Sequence, residues 1–213
     1  MKNSKTNTDE ALNPRFEFRT FGQNFAESIA LMEKLSAPVP KEFKERTSEE
    51  IYILSNHNNT NNVKIRDGKI DVKTHIKTVE GLEQWKPILK DEFPISKDVI
   101  FTNILPALEV NISELNQNTY ALNEFIKLVN KTPNIEAVQV KKHRFGYKIN
   151  NTICEVAYVL INGKKVTTIS TESTNLQKVK KTITDCKLEA FENINYLKAI
   201  KRTIGWINKS LAN

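Results

Sequence analysis

The chain is poor in the residues that most often announce a chemistry. It holds two cysteines in 213 residues, Cys154 and Cys186, too few for a disulfide framework and without metal-ligand spacing. Cys154 stands among apolar strand residues and reads as a small buried hydrophobe. There are six glycines, and none falls into a GxxxxGK[ST] or GxGxxG loop; HExxH and CxxC are absent too. No apolar run approaches the roughly 20 residues of a membrane-spanning helix. The polar start MKNSKTNTDE is not a secretory signal, so a cytoplasmic protein with no membrane partner is expected. Acidic side chains are the minority, 25 against 32 Lys and Arg, for a net charge of +7. That excess suits an anionic partner such as a nucleotide, polyphosphate, nucleic acid or acidic surface. A proteome rich in Lys, Asn and Ile would give the same balance, so composition alone leaves both readings open.

What the chain does have is alternation. Residues 137–173 read as three antiparallel strands joined at Asn150-Asn151 and Asn162-Gly163. Asn-Gly between apolar-rich runs is a strong hairpin signal, because both turn positions need φ > 0. Counting outward pairs Ile149 with Thr152, Arg144 with Ala157, Ile161 with Lys164 and Glu155 with Ser170. Opposed residues share a face. One face therefore carries Lys142, Arg144, Glu155, Thr168, Ser170 and Glu172, and the other Phe145, Val156, Tyr158, Leu160 and Ile169. Asp67-Gly68 marks a second hairpin. Around it Val63, Ile65, Ile70 and Val72 share an apolar face, while Lys64, Arg66, Lys69, Asp71 and Lys73 share the other. Arg15 to Arg19 alternates in the same way, with Phe16 and Phe18 on one side, and Gly22 ends it.

Helical spacing marks 25–35, 119–130 and 174–186, and a final helix is expected over 197–211, weakened by Gly205. The charged run 41–50 fits a strand or a loop, and Ile51 to Leu54 a short apolar strand. Asn-rich 57–62 is a loop, with His57 exposed in it. Residues 1–13 read as a disordered lead and 14–213 as one domain, in which 78–133 is the hardest to read: 81–85 and 93–94 suggest irregular or strand structure, and 96–108 a helix interrupted before Pro106. The fold class expected is α+β: an antiparallel sheet with helices packed on one side. Repetition of a charged and an apolar face on every hairpin suggests a closed or nearly closed β-barrel. Its apolar face would lie outside under helices, and its charged lumen would be wet or hold an anion.

These motifs, in this order, resemble the CYTH-type triphosphate tunnel proteins. The family opens on Glu-x-Glu-x-Lys, where this chain has Arg15-x-Glu17-x-Arg19. Its basic strands look like Lys64-Ile65-Arg66 and Ile70-Asp71-Val72-Lys73. Its later Lys-x-Arg strand looks like Lys142-His143-Arg144, and its closing Glu-x-Glu strand like Ser170-Thr171-Glu172. The end, Ile194 to Ile200, is similar to the family's final helix signature. The resemblance implies an eight-stranded barrel holding a triphosphate with Mg²⁺ or Mn²⁺. It implies phosphate contacts from Arg19, Lys64, Arg66, Lys73, Lys142 and Arg144. It also implies a metal on Glu17, Glu155 and Glu172, with Glu17 and Glu172 catalytic. Metal-assisted phosphoanhydride hydrolysis would be the reaction if the chain is an enzyme, nucleotide cyclisation a rarer one. Arg15 and Ser170 stand where the family has Glu, so the basic half of the pattern is kept better than the acidic half. A non-catalytic phosphate-ligand module is one alternative. Another is an RNA-binding module using Phe145 and Tyr147 beside Arg144.

Overall fold

The computed structural model describes residues 13–112 and 114–211, so the expected lead lies outside it apart from Asn13. Eight antiparallel strands close into a barrel: β1 (Arg15–Gly22), β2 (Glu45–Ser55), β3 (Asn61–Arg66), β4 (Lys69–Val79), β5 (Leu82–Glu92), β8 (Ile135–Ile149), β9 (Thr152–Ile161) and β10 (Lys164–Ser173). Their order is β1-β10-β9-β8-β2-β3-β4-β5, with β1 returning onto β5. The two-residue strands β6 (Ile95–Ser96) and β7 (Thr119–Tyr120) pair outside it.

The turns set the register. Asp67-Gly68, Asn150-Asn151 and Asn162-Gly163 all have positive φ at both central residues. This backbone matches the right-handed twist of the flanking strands. Arg66 therefore opposes Lys69, Ile149 opposes Thr152 and Ile161 opposes Lys164, as counted from the sequence. A fourth such turn, Glu80-Gly81, joins β4 to β5 with φ of 49° and 80°. The β5 strand lies in the stretch the sequence left unread. It carries Pro87 at a register shift against β4, since Val72 faces Leu89 while Lys73 faces Pro87.

Helices cover the barrel from outside. A broken helix over 97–108, here α3, contains a π turn at Ile100–Ile104. Pro106 lacks an N–H and cannot continue a regular α ladder, and just before it Leu105 N–H bonds Ile100 O, five residues back, as in a π turn. With α4 (Leu122–Lys131) it packs on the outward Ile53, Val63, Ile65, Ile70 and Val72. The helices α1 (Ala26–Leu35) and α5 (Leu176–Asp185) cover Phe18, Cys154, Val156 and Ile169. Both cysteines are buried free thiols. Between these two covers the outer face is bare in places: Tyr158 is 51% exposed, against the expectation that the whole apolar side is covered. No helix among the described residues is long and apolar enough to cross a membrane.

The interior is not charged throughout. Toward one end the inward positions Phe21, Tyr52, Leu54, Val138, Val140, Val159 and Ile161 pack on Tyr196, Leu197 and Ile200 of α6 (Tyr196–Thr203). That helix plugs the barrel, and each fully buried Leu or Ile in the plug contributes about 2 kcal/mol. Its N-terminus is fixed by the Asn195 side chain, which accepts the Lys198 N–H. It stops at Thr203, earlier than expected. Gly205 takes φ +88°, and the N–H groups of Trp206 and Gly205 fold back on the carbonyls of Lys201 and Arg202.

At the other end the short helix α2 (Lys41–Lys44) lies against β8. A Cβ on Gly146 would run into the backbone carbonyl of Phe43. Gly146→Ala is expected to destabilise the fold by about 1–3 kcal/mol, since backbone rather than a flexible side chain must move. Urea unfolding measures this.

Candidate functional site

The charged part of the lumen is a cavity of about 530 Å³. All nine residues singled out from the sequence line it: Glu17, Arg19, Lys64, Arg66, Lys73, Lys142, Arg144, Glu155 and Glu172. Strand parity brings them there, since Arg19 faces Ser170, Ser170 faces Glu155, and Lys64 faces Asp71 and Tyr52 across successive ladders. Eight Lys and Arg side chains line the cavity against four Asp and Glu, Arg46 and Lys90 completing the basic set. A larger depression of about 870 Å³ lies on the outer sheet face beside Lys141, His143, Tyr158 and Lys165, away from this convergence of charge.

The residue that organises the basic set is Glu50, which the sequence left in an unread charged run. It is 2% exposed. Lys142 Nζ donates to its Oε2 at 2.8 Å, while Arg66 stands at 3.6 Å, Arg144 at 3.7 Å and Lys64 at 3.9 Å. One buried carboxylate thus holds four cations drawn from β3 and β8. Burial pushes its pKa up, but Lys142 and Lys64 outweigh that and hold the carboxyl far below the ordinary range.

Glu17, Glu155 and Glu172 are each engaged by arginine. Glu17 Oε1 accepts Arg19 Nε at 2.6 Å. Burial acts against its ionisation, yet Arg19 and Lys73 keep its pKa below the usual value. Glu155 Oε2 accepts Arg46 Nη2 at 3.2 Å, with Arg19 at 3.8 Å and Arg144 at 3.9 Å. Glu172 Oε1 accepts Arg15 Nη1 at 3.0 Å. Glu83, opposite Glu17 on β5, accepts from Asn195 and from Trp85 Nε1.

Two buried polar groups at this cavity have no partner among the described residues, Arg144 Nε and Tyr196 Oη. An unpaired buried donor is costly, so both are poised for an acceptor entering the lumen. Lys142 lies against the plug. Its Nζ donates to Tyr52 Oη at 2.8 Å and sits 3.8 Å from the centre of the Tyr196 ring. Burial pulls its pKa down to about 7 against the attraction of Glu50, and Lys64 adds repulsion. A polyanion in the lumen would favour the charged form. Tripolyphosphate affinity is therefore expected to fall as pH rises through 7, with proton uptake on binding near and above that pH. Calorimetry in two buffers of different ionisation enthalpy counts the protons.

No protein-family model matches the chain, and no curated sequence matches it. Solved structures do. A candidate adenylate cyclase from Bacillus halodurans superposes with a TM-score of 0.53 at 10% identity, over 89% of this chain and 98% of its own. The chain has the CYTH-like triphosphate-tunnel fold. A protein of Pyrococcus horikoshii matches at 17% identity over 86% of this chain and 98% of its own. An adenylyl cyclase candidate from Hippeastrum, described as having a dominant triphosphatase activity, matches at 11% over 89% and 95%. Both have TM-scores of 0.48.

Within the tunnel, the expected metal positions do not form a metal site. Among the described residues no three His, Cys, Asp or Glu side chains are grouped to hold an ion. Glu17 is tied to Arg19, Glu155 to Arg46 and also to Arg19, and Glu172 to Arg15, while Asp71 lies between Lys64 and Lys90 across its two ladders. Mg²⁺ needs near-octahedral oxygen ligands, and here one oxygen each of Glu17 and Glu172 and both oxygens of Glu155 stand against a guanidinium. A Mg²⁺ or Mn²⁺ held by these carboxylates would lie beside guanidinium groups already bonded to them, a poor fit for the donor set as it stands.

Proposed function

We propose that the protein binds a phosphate-rich anion in the tunnel, tripolyphosphate or the triphosphate of a nucleoside triphosphate. The observation that carries this is the excess of positive charge on the walls of one cavity, eight Lys and Arg against four Asp and Glu with Glu50 buried behind them, and the buried Arg144 Nε left without an acceptor. Guanidinium and ammonium donors suit phosphate oxygens, the first by bidentate contact and the second as a point charge. Substrate contacts are assigned to Arg19, Lys64, Arg66, Lys73, Lys142 and Arg144, joined by Arg46. The bases turn inward and α6 closes one end, which favours a small anion over a nucleic-acid strand threading through.

Hydrolysis by metal-activated water, with Glu17 and Glu172 as catalytic residues, would need a dication directly beside Arg19 and Arg15, each of which holds one oxygen of these carboxylates. Binding is therefore the function proposed. Calorimetric titration with tripolyphosphate and with ATP at low salt tests it, with phosphate release followed in parallel. One-to-one binding of at least one of them without turnover is the expected result. Absence of binding to both would rule the function out. RNA displacing tripolyphosphate would point to the nucleic-acid alternative.

A further inference from the structure

The tunnel's inward carboxylates are matched to arginines in a way that bears on how the ligand's charge is met, given the phosphate-binding reading above. The inward side of β1 reads Arg15, Glu17, Arg19, so a guanidinium flanks the carboxylate on either side. Arg19 donates to Glu17 at 2.6 Å and reaches Glu155 at 3.8 Å, while Arg15 donates to Glu172 at 3.0 Å. Arg46, from β2, donates to the remaining oxygen of Glu155 at 3.2 Å. Ser170, which sits across the ladders from both Arg19 and Glu155, adds a neutral hydroxyl and no carboxylate. The result is a belt of three arginines and three glutamates across β1, β10, β9 and β2.

A dication entering this belt would have to take the second oxygen of Glu17 or Glu172, or part Glu155 from its arginines, and in each case sit beside a guanidinium. Repulsion between them is strong where water is scarce. A guanidinium already fixed by a carboxylate keeps further N–H groups to offer, and it needs no second ion to neutralise phosphate oxygens. We propose that the tunnel binds its phosphate ligand without a divalent cation, with Arg15, Arg19 and Arg46 standing where a metal would bridge carboxylate and phosphate.

The test is calorimetry of the full chain with sodium tripolyphosphate, once in chelator and once in excess Mg²⁺ or Mn²⁺. The dissociation constant of wild type in chelator should match that in metal within about threefold, after correction for metal bound by free ligand. Tightening by about tenfold or more with either metal overturns the inference and leaves phosphate binding standing. Absence of binding under both conditions removes the phosphate reading, and this inference with it. Arg15→Glu combined with Ser170→Glu places Glu-x-Glu on the inward faces of β1 and β10. In that variant binding should become metal-dependent, weaker by about tenfold or more in chelator than in Mg²⁺. A folded double variant that binds equally well in chelator also contradicts the inference.

Discussion

Glu50→Gln is expected to lower the free energy of unfolding by about 3–5 kcal/mol, the usual loss when one member of a buried ion pair is removed and its partner is left behind. The effect belongs at the top of that range because four cations, not one, lose their counterion. The amide keeps the shape of the carboxyl and some of its hydrogen bonding, so the change isolates charge. Urea or thermal unfolding reads it. Tripolyphosphate should stabilise the variant more than wild type, since an anion in the lumen replaces the missing charge. In wild type, Glu50 also sets an acid limit. Its folded pKa lies below the unfolded value, so as pH falls the unfolded chain takes up the proton first. Its contribution is complete above the ordinary carboxylate range and is lost progressively below it. The variant should show a shallower loss of stability between about pH 5 and pH 3. An unchanged stability at neutral pH would mean that the four cations are held by something other than Glu50.

Replacing Lys64 and Arg144 together by Ala should weaken tripolyphosphate binding by roughly 100-fold or more. Each charge-assisted contact is worth about 1.5–3 kcal/mol, and 1.4 kcal/mol is a factor of ten. Lys142 and Arg66 remain beside Glu50, so the fold should survive, and circular dichroism checks that. The comparison variant is Lys127→Ala, on the exposed side of α4. Its affinity should equal that of wild type. A loss below about threefold in the double variant would place the ligand elsewhere.

The three Asn and Asp turns were legible because their chemistry leaves few alternatives: two adjacent residues at positive φ force a two-residue hairpin, and counting then fixes which side chains share a wall. That is why the lumen's basic residues were found from sequence. Glu50 was not, and the reason is local. In β2 both faces change character midway. Arg46, Ser48 and Glu50 point inward while Thr47 and Glu49 point outward, so no polar-apolar contrast marks this half. Beyond it Ile51 and Ile53 pack under the outer helices while Tyr52 and Leu54 join the plug, so both faces are apolar. An 11-residue strand therefore looked like a charged loop followed by a short apolar strand. Parity with Tyr52 and Leu54 was the one available clue that Glu50 faces in.

The strand β5 hid for another reason. Its turn, Glu80-Gly81, lacks the Asn or Asp that makes such turns conspicuous, and Pro87 interrupts its ladder. The apolar plug was hidden as well, because a helix inserted into a barrel end leaves the strands' alternation intact and changes only what the inward residues are. The metal positions show a further limit. The resemblance implied Glu17, Glu155 and Glu172 around one cavity, but it could not show that arginines from β1 and β2 already engage them.

The central claim is that the anion sits inside the barrel, and lysine labelling locates it directly. An amine-reactive reagent with mass-spectrometric readout is applied with and without saturating tripolyphosphate. Lys64 and Lys73 line the cavity, whereas Lys41 and Lys127 lie on the outer surface. Strong protection of Lys64 and Lys73 with unchanged labelling of Lys41 and Lys127 is the predicted result; equal labelling of the lumen lysines with and without the ligand would contradict it.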